Sequence, residues 1–424
     1  VPQPSPNPPS PDRLHRRLGL GDAVMIGLGA MLGAGIFAAL APAAKAAGSG
    51  LLLGLAVAAV VAYCNATSSA RLAARYPDSG GTYVYGRERL GPFWGYLAGW
   101  SFVVGKTASC AAMALTVGLY VWPDQAHAVA VAAVVALTTV NYLGVQKSAL
   151  LTRVIVAVVL AVLAAVVVAA TTSAEADTHR LEFGSDITAL GVLQAAGLLF
   201  FAFAGYARIA TLGEEVREPA RTIPRAIPIA LGITLVVYAA VAVAALVVLG
   251  PQRLAESTAP LSSAVQAAGV DWLSPIVRAG AAVAALGSLL ALILGVSRTT
   301  LAMARDRHLP RTLAAVHPRT SVPHHAELAV GAVVALAAAT ADLRAAIGFS
   351  SFGVLLYYAV ANASAWTLTR AEGRPPRAIP VVGLIGCLVL AFILPAESVL
   401  AGAVVTVIGA GVYVVRRHRG SASS

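Results

Sequence analysis

Two clusters of small residues and two deeply set cations are the parts of this sequence that could do chemistry. The run Gly29–Phe37 reads GAMLGAGIF, densest at Gly33-Ala34-Gly35, and a second run, FFAFAGYA at Phe200–Ala207, has Ala204-Gly205 at its centre. Glycine costs about 1 kcal/mol per helix position relative to alanine. Such runs either let helices pack closely in a membrane or interrupt a helix and free its backbone groups. Freed amides at a helix N-terminus suit an anion, and freed carbonyls suit a cation. One small molecule carrying both charges is a free α-amino acid. Lys106 and Arg208 are the deep ionisable candidates. For Lys106 two readings stand: snorkelling to the surface, or facing a pocket, since ionisable residues inside a membrane are functional candidates by default. Arg208, one turn past the Ala204-Gly205 break, is placed to brace carbonyls of an inner gate.

Other groups resemble chemistry without its full pattern. Glu214 and Glu215 are adjacent, so on a helix they do not face each other; a gate or loop role fits better than a catalytic pair. His324-His325 lacks a spaced set of Cys or acid ligands and reads as a solvated loop. Cys64, Cys110 and Cys387 sit in apolar runs without paired spacing and read as packing residues. The 19 acids are read as lying in loops or at span ends, the deepest being Asp22 and Glu327, so the interior is expected to hold no carboxylate. That inventory argues against a membrane-embedded transferase or hydrolase. No catalytic residue, metal or organic cofactor is expected, and no phosphate-binding loop motif is present for driving by ATP.

The elements that must position these residues are long apolar runs. Of 424 residues, 58% are hydrophobic and 12% charged, and mean hydropathy is +0.79. Soluble chains carry about 25% charged residues, so disorder and an ordinary cytosolic enzyme are excluded. A span needs about 20 apolar residues. On that rule twelve helical spans fall near 20–48, 50–70, 92–121, 127–145, 151–172, 188–211, 226–250, 273–303, 327–341, 344–369, 378–394 and 397–415. The runs are continuous rather than alternating, so they read as helices and not barrel strands. With the N-terminus inside, 22 of the 30 Lys+Arg fall on the cytoplasmic side, against Arg180, Arg253 and Arg344 outside. Both termini are therefore expected in the cytoplasm of a multi-pass protein of the inner membrane. The net charge of +11 reflects topology, with no nucleic-acid partner expected.

The Pro/Ser-rich residues 1–16 predict a disordered cytoplasmic tail, no signal peptide, and 416–424 a second tail flanking a transporter domain over 17–415. Interruptions at matching places in spans one and six point to two inverted five-helix repeats with a ligand site between them. The repeats are expected near 20–172 and 188–369, with two extra helices over 378–415.

The motifs carry a family resemblance. GAMLGAGIF, ARYPDSGGTYVYGRERLGPFWGYLAGW (Ala74–Trp100), FFAFAGYARIATLGEEVREPARTIPRAI (Phe200–Ile227) and SRTTLAMARDRHLP (Ser297–Pro310) resemble the amino acid–polyamine–organocation permease superfamily over roughly 17–415. The resemblance implies a LeuT-type all-α membrane fold of ten core helices plus two, working by alternating access. It implies that Gly33, Ala34, Gly35 and Ile36 bind a substrate carboxylate, that Phe203, Ala204 and Gly205 offer carbonyls to its ammonium, and that Phe201 is an aromatic gate. Lys106, Cys110 and Met113 of the third span would face the pocket. Two positions depart from the pattern. Ala207 stands where some relatives have an acid, and Val159 where many proton-coupled members have a fifth-span lysine. Lys106 and Arg208 are therefore the coupling candidates, with protons coupled through Lys106. The expected partners are a free amino acid, the lipid bilayer and protons, and the expected function is secondary active transport, neutral amino acids favoured. A cationic amino acid or polyamine exchanger and a transport-dead sensor are the alternatives.

Overall fold

Continuous apolar runs in this chain fold into helices, the one conformation that satisfies a single segment's backbone without water. The computed structural model describes residues 18–76, 80–144, 149–184, 187–210, 216–318, 320 and 322–421. The tail expected over 1–16 and the Glu214-Glu215 pair lie outside the described residues. In chain order the first helices are α1 (Leu20–Met31), α2 (Ala34–Ala38), α3 (Leu40–Ala47), α4 (Leu51–Arg75), α5 (Thr82–Leu90) and α6 (Pro92–Val121). Then come α7 (Ala126–Tyr142), α8 (Ala149–Thr172), α9 (Ala189–Phe203), α10 (Ala207–Ala210), α11 (Pro219–Glu256) and α12 (Pro260–Ala267). The series closes with α13 (Ser274–Arg305), α14 (His324–Thr340), α15 (Leu343–Trp366), α16 (Ala378–Ile393) and α17 (Ala396–Ser421).

Among the described residues, ten helical stretches are long and apolar enough to cross a membrane. Three of them join two α-helices: Leu20–Ala38 joins α1 and α2, Leu40–Arg75 joins α3 and α4, and Ala189–Ala210 joins α9 and α10. His324–Thr340 and Ala378–Ile393, where sequence places two further spans, are shorter apolar helices. At about 1.5 Å per residue they are shorter than a bilayer's apolar core by a few residues.

The interrupted helices sit at the centre of the packing. α6 lies against α13 and α15, α4 against α9 and α11, and α1 against α8 and α11. Small residues make these approaches close. A Cβ on Gly35 would lie 2.6 Å from the Ala202 Cα, so α2 can touch α9 only because residue 35 is glycine. All three cysteines are buried and free, as packing residues should be.

Candidate functional site

The first interruption falls at Leu32–Gly33. α1 ends at Met31, and α2 starts at Ala34 with Gly33 as its N-cap at φ −75°, ψ −134°. Gly35 therefore lies inside the short helix α2, two residues past the break. The second interruption is tightened rather than unwound: Ala204–Tyr206 form a 3₁₀ turn between α9 and α10. Each leaves carbonyls without helical partners, and such groups must be satisfied when water is absent. Side chains from neighbouring helices supply the donors. The Tyr238 hydroxyl of α11 reaches both the Met31 carbonyl and, at 3.0 Å, that of Ala202. Ser288 of α13 donates to the Gly29 carbonyl at 3.0 Å, and Tyr120 of α6 to that of Phe37 at 3.0 Å. Sequence reasoning missed Tyr238, Ser288 and Tyr120. Their only signal was a lone hydroxyl in an apolar run.

Lys106 is the donor at the second interruption. Its ammonium nitrogen lies 3.2 Å from the Ala204 carbonyl, which Tyr358 also approaches at 3.4 Å. The lysine is 6% exposed, so of the two readings of this residue the side chain takes the inward one and does not snorkel.

A cavity of about 440 Å³ runs from these interruptions to the end of the molecule bearing Gly80, Tyr83, Arg305 and Pro323. Of the expected site residues, Lys106, Met113, Phe201, Ala204, Gly205 and Arg208 line it. Gly33, Ala34, Gly35, Ile36, Phe203 and Cys110 do not; they are buried in the surrounding packing. The Phe203 ring is turned to Tyr238, centroids 5.2 Å apart. Val159 is also buried, on α8, which packs against α1. The cavity wall carries four cations, Lys106, Arg208, Arg298 and Arg305, and no Asp or Glu among the described residues that line it. At the opposite end Tyr120 joins α2 to α12: its ring meets Phe37 edge-on at 5.8 Å, and its oxygen accepts from the Leu261 amide at 3.4 Å.

At the open end a polar network ties α5 to the end of α13. The Tyr83 hydroxyl donates to the Asp306 carboxylate and lies 2.9 Å from His308 Nδ1, while Arg87 pairs with Asp306 at 3.1 Å. Burial pushes the Tyr83 hydroxyl pKa up, with the Asp306 charge adding to it. Burial also pushes the His308 imidazole below its ordinary value, against the smaller opposing pull of Asp306.

Glu327 stands at a helix end, where the sequence places it, yet α6, α7 and α13 pack around α14 and leave it 0% exposed. One expectation is corrected here. His324 and His325 are the opening residues of that helix rather than a solvated loop, and His324 packs edge-on against His317 and Tyr142. Among the described residues no group of His, Cys, Asp and Glu could hold a metal ion.

Comparison with known proteins gives a consistent result. The family model described as "Amino acid permease" matches residues 18–414. An "Uncharacterized transporter" of Mycobacterium tuberculosis is 79% identical over 407 residues, covering 96% of this chain and 92% of that protein. A branched-chain amino acid permease of Bacillus subtilis is 26% identical over 96% of this chain and 94% of its own length. A human protein named cationic amino acid transporter 4 is 29% identical over 86% of this chain and 61% of its own length. With ten helical stretches fit to cross a membrane among the described residues, and with that family match over nearly its whole length, this chain is a multi-pass membrane protein of the amino acid permease family.

Proposed function

We propose that this protein is a secondary active transporter of amino acids in the cytoplasmic (inner) membrane, working by alternating access and favouring neutral substrates. The observation that carries the reading is the cavity: it starts at two interrupted helices, and its wall has four cations and no described acid. A substrate carboxylate is then met by the amides opening α2, over Gly33, Ala34, Gly35 and Ile36. Its ammonium is met by carbonyls of Phe203, Ala204 and Gly205, with Phe201, Cys110 and Met113 shaping the side-chain space. Since the cavity stops short of α2, the carboxylate contacts form when the interrupted helices shift between states. A side-chain cation about 6 Å from one wall cation is disfavoured by roughly 3 kcal/mol at an effective dielectric of 20. That opposes the cationic substrates in the human relative's name and agrees with the substrates in the Bacillus relative's name.

Twelve spans arranged as two inverted five-helix repeats plus α16 and α17 fit this reading, with the interruptions of α1/α2 and α9/α10 at matching places. The basic loops then lie in the cytoplasm, both termini inside, and the cavity is open inward. Exposed apolar side chains on α17, such as Leu400 at 67% and Val407 at 70%, suit contact with lipid. The coupling residue is Lys106, which ties cavity occupancy to the 3₁₀ turn; Arg208 is the secondary candidate. Uptake of a radiolabelled amino acid panel into proteoliposomes, with and without pH and sodium gradients, tests the proposal. Uptake confined to arginine, lysine or polyamines would replace it with the cationic reading, and binding without flux with a sensor.

A further inference from the structure

Glu327 belongs to none of the functions assigned so far, yet among the described residues it is the carboxylate most completely removed from water. It lies in the first turn of α14, it is 0% exposed, and neither carboxylate oxygen has a hydrogen-bond partner. No cation among the described residues forms an ion pair with it. Two donor side chains stand beside it, each already bonded to a backbone carbonyl, with one amide hydrogen of Asn141 left over. Ser297 donates to the Ile293 carbonyl at 2.9 Å, and Asn141 donates to the Leu290 carbonyl at 3.1 Å. Both side chains sit beside the carboxyl group, and both are buried. One turn further along α14, Gly331 packs against Thr138 of α7, whose buried hydroxyl is also unpartnered.

A buried polar group with no partner is costly, and a buried unpaired charge far more so. A neutral carboxylic acid removes the larger cost and needs only one acceptor for its proton. One turn before Glu327, on the same helix face, stands His324, whose Nδ1 is also buried and unpartnered. His324 lies against His317 and Tyr142 at the end of the molecule where the cavity opens. An imidazole there can pass a proton between water and the acid beneath it.

We propose that Glu327 is the proton-binding carboxylate of this transporter, loaded and unloaded through His324 from the face bearing Arg305 and Pro323. The inference rests on the transport reading above and supplies the group that reading lacks at Val159. The proton comes from water, passes through the imidazole, and leaves by the same bonds reversed, so nothing else is consumed. The groups facing Glu327 fit that role. α6 presents Cys110, α7 presents Asn141 and Tyr142, and α13 presents Ser297 and the exposed Arg298. The turn Arg311–Ala314 adds only the exposed Arg311, and α14 itself adds His324 and His325. Cys110 and Lys106 stand one turn apart on α6, so the helix that borders Glu327 also carries the lysine of the cavity wall.

The test uses the full chain in proteoliposomes, with Glu327→Gln as the isosteric neutral variant. Counterflow exchange at equal pH on both sides should stay within about threefold of wild type, while accumulation driven by a pH gradient should be lost. Infrared difference spectra of the wild type, taken across a pH titration, should show a carboxylic acid band that is missing from Glu327→Gln; this readout needs no transport. His324→Gln should slow pH-driven uptake without abolishing it. If Glu327→Gln still accumulates substrate under a pH gradient, the proposal is overturned. A band that persists in the variant overturns it as well, as does accumulation that follows sodium and not pH. Absence of counterflow in the wild type would instead be a failure of the transport reading, and the infrared result would still decide the fate of Glu327.

Discussion

Replacing Lys106 with methionine keeps most of the side chain's bulk and removes one charge from the cavity wall. Two effects follow, of different size. The Ala204 carbonyl loses its 3.2 Å ammonium donor and keeps Tyr358 at 3.4 Å. A hydrogen bond to a charged group contributes roughly 1.5–3 kcal/mol, but the ammonium's burial cost is relieved at the same time, so net stability should change by only about 1 kcal/mol. Selectivity should change more. A substrate cation about 6 Å from the ammonium feels roughly 3 kcal/mol of repulsion at an effective dielectric of 20, equivalent to about 100-fold in affinity. Arg208, Arg298 and Arg305 stay on the wall, so a 10- to 100-fold gain is the expected range. The assay is competition for uptake of a neutral amino acid, comparing lysine with norleucine in wild type and Lys106→Met. The lysine/norleucine inhibition ratio should rise by at least tenfold. An unchanged ratio would refute the placement of substrate beside Lys106. Lys106→Met should also lose pH-driven accumulation while keeping counterflow, since charge at this wall is proposed to link proton and substrate.

Tyr238→Phe removes the hydroxyl that reaches the Met31 and Ala202 carbonyls. It should lower stability by roughly 1 kcal/mol, read as a lower melting temperature in detergent, with weaker substrate-induced stabilisation. Gly35→Leu sets a side chain against the Ala202 backbone, where even a Cβ lies at 2.6 Å. Ligand-induced thermal stabilisation should vanish in the folded variant, and wild-type-like stabilisation would count against the packing of α2 on α9. The His308 imidazole, held below its ordinary value by burial, is neutral in the folded network and charges more readily once released. Its contribution to the closed network is thus present above about pH 6.5 and lost as pH falls below it. Hydrogen exchange over residues 82–90 should rise on acidification in wild type, and His308→Asn should remove that pH dependence.

Hydropathy exposed much of the architecture because apolar continuity is a property of the chain itself. The first interruption was legible as a glycine-dense run, but its place at Leu32–Gly33, the leading edge of Gly33-Ala34-Gly35, depends on which carbonyls find donors on α6, α11 and α13. Those donors, Tyr238, Ser288 and Tyr120, look like filler in apolar runs. Lys106 was singled out by its depth, and its direction was not, since outward and inward rotamers share one sequence. Glu327 was placed at a helix end by sequence, but its burial was not legible, because a carboxylate in a helix's first turn normally meets water and the positive end of the dipole. Here α7 and α13 cover that turn, and only tertiary packing reveals it.

The central claim is that the cavity carries a zwitterionic, electrically neutral amino acid. The most direct measurement is competition for radiolabelled leucine uptake into proteoliposomes by leucine, leucinamide, isoamylamine and arginine. Leucine alone should compete strongly, because each analogue lacks a charge that the interrupted helices bind or adds one that the cationic wall repels. Equal competition by arginine or by the amine, or no leucine uptake alongside robust uptake of a cation, would contradict the account.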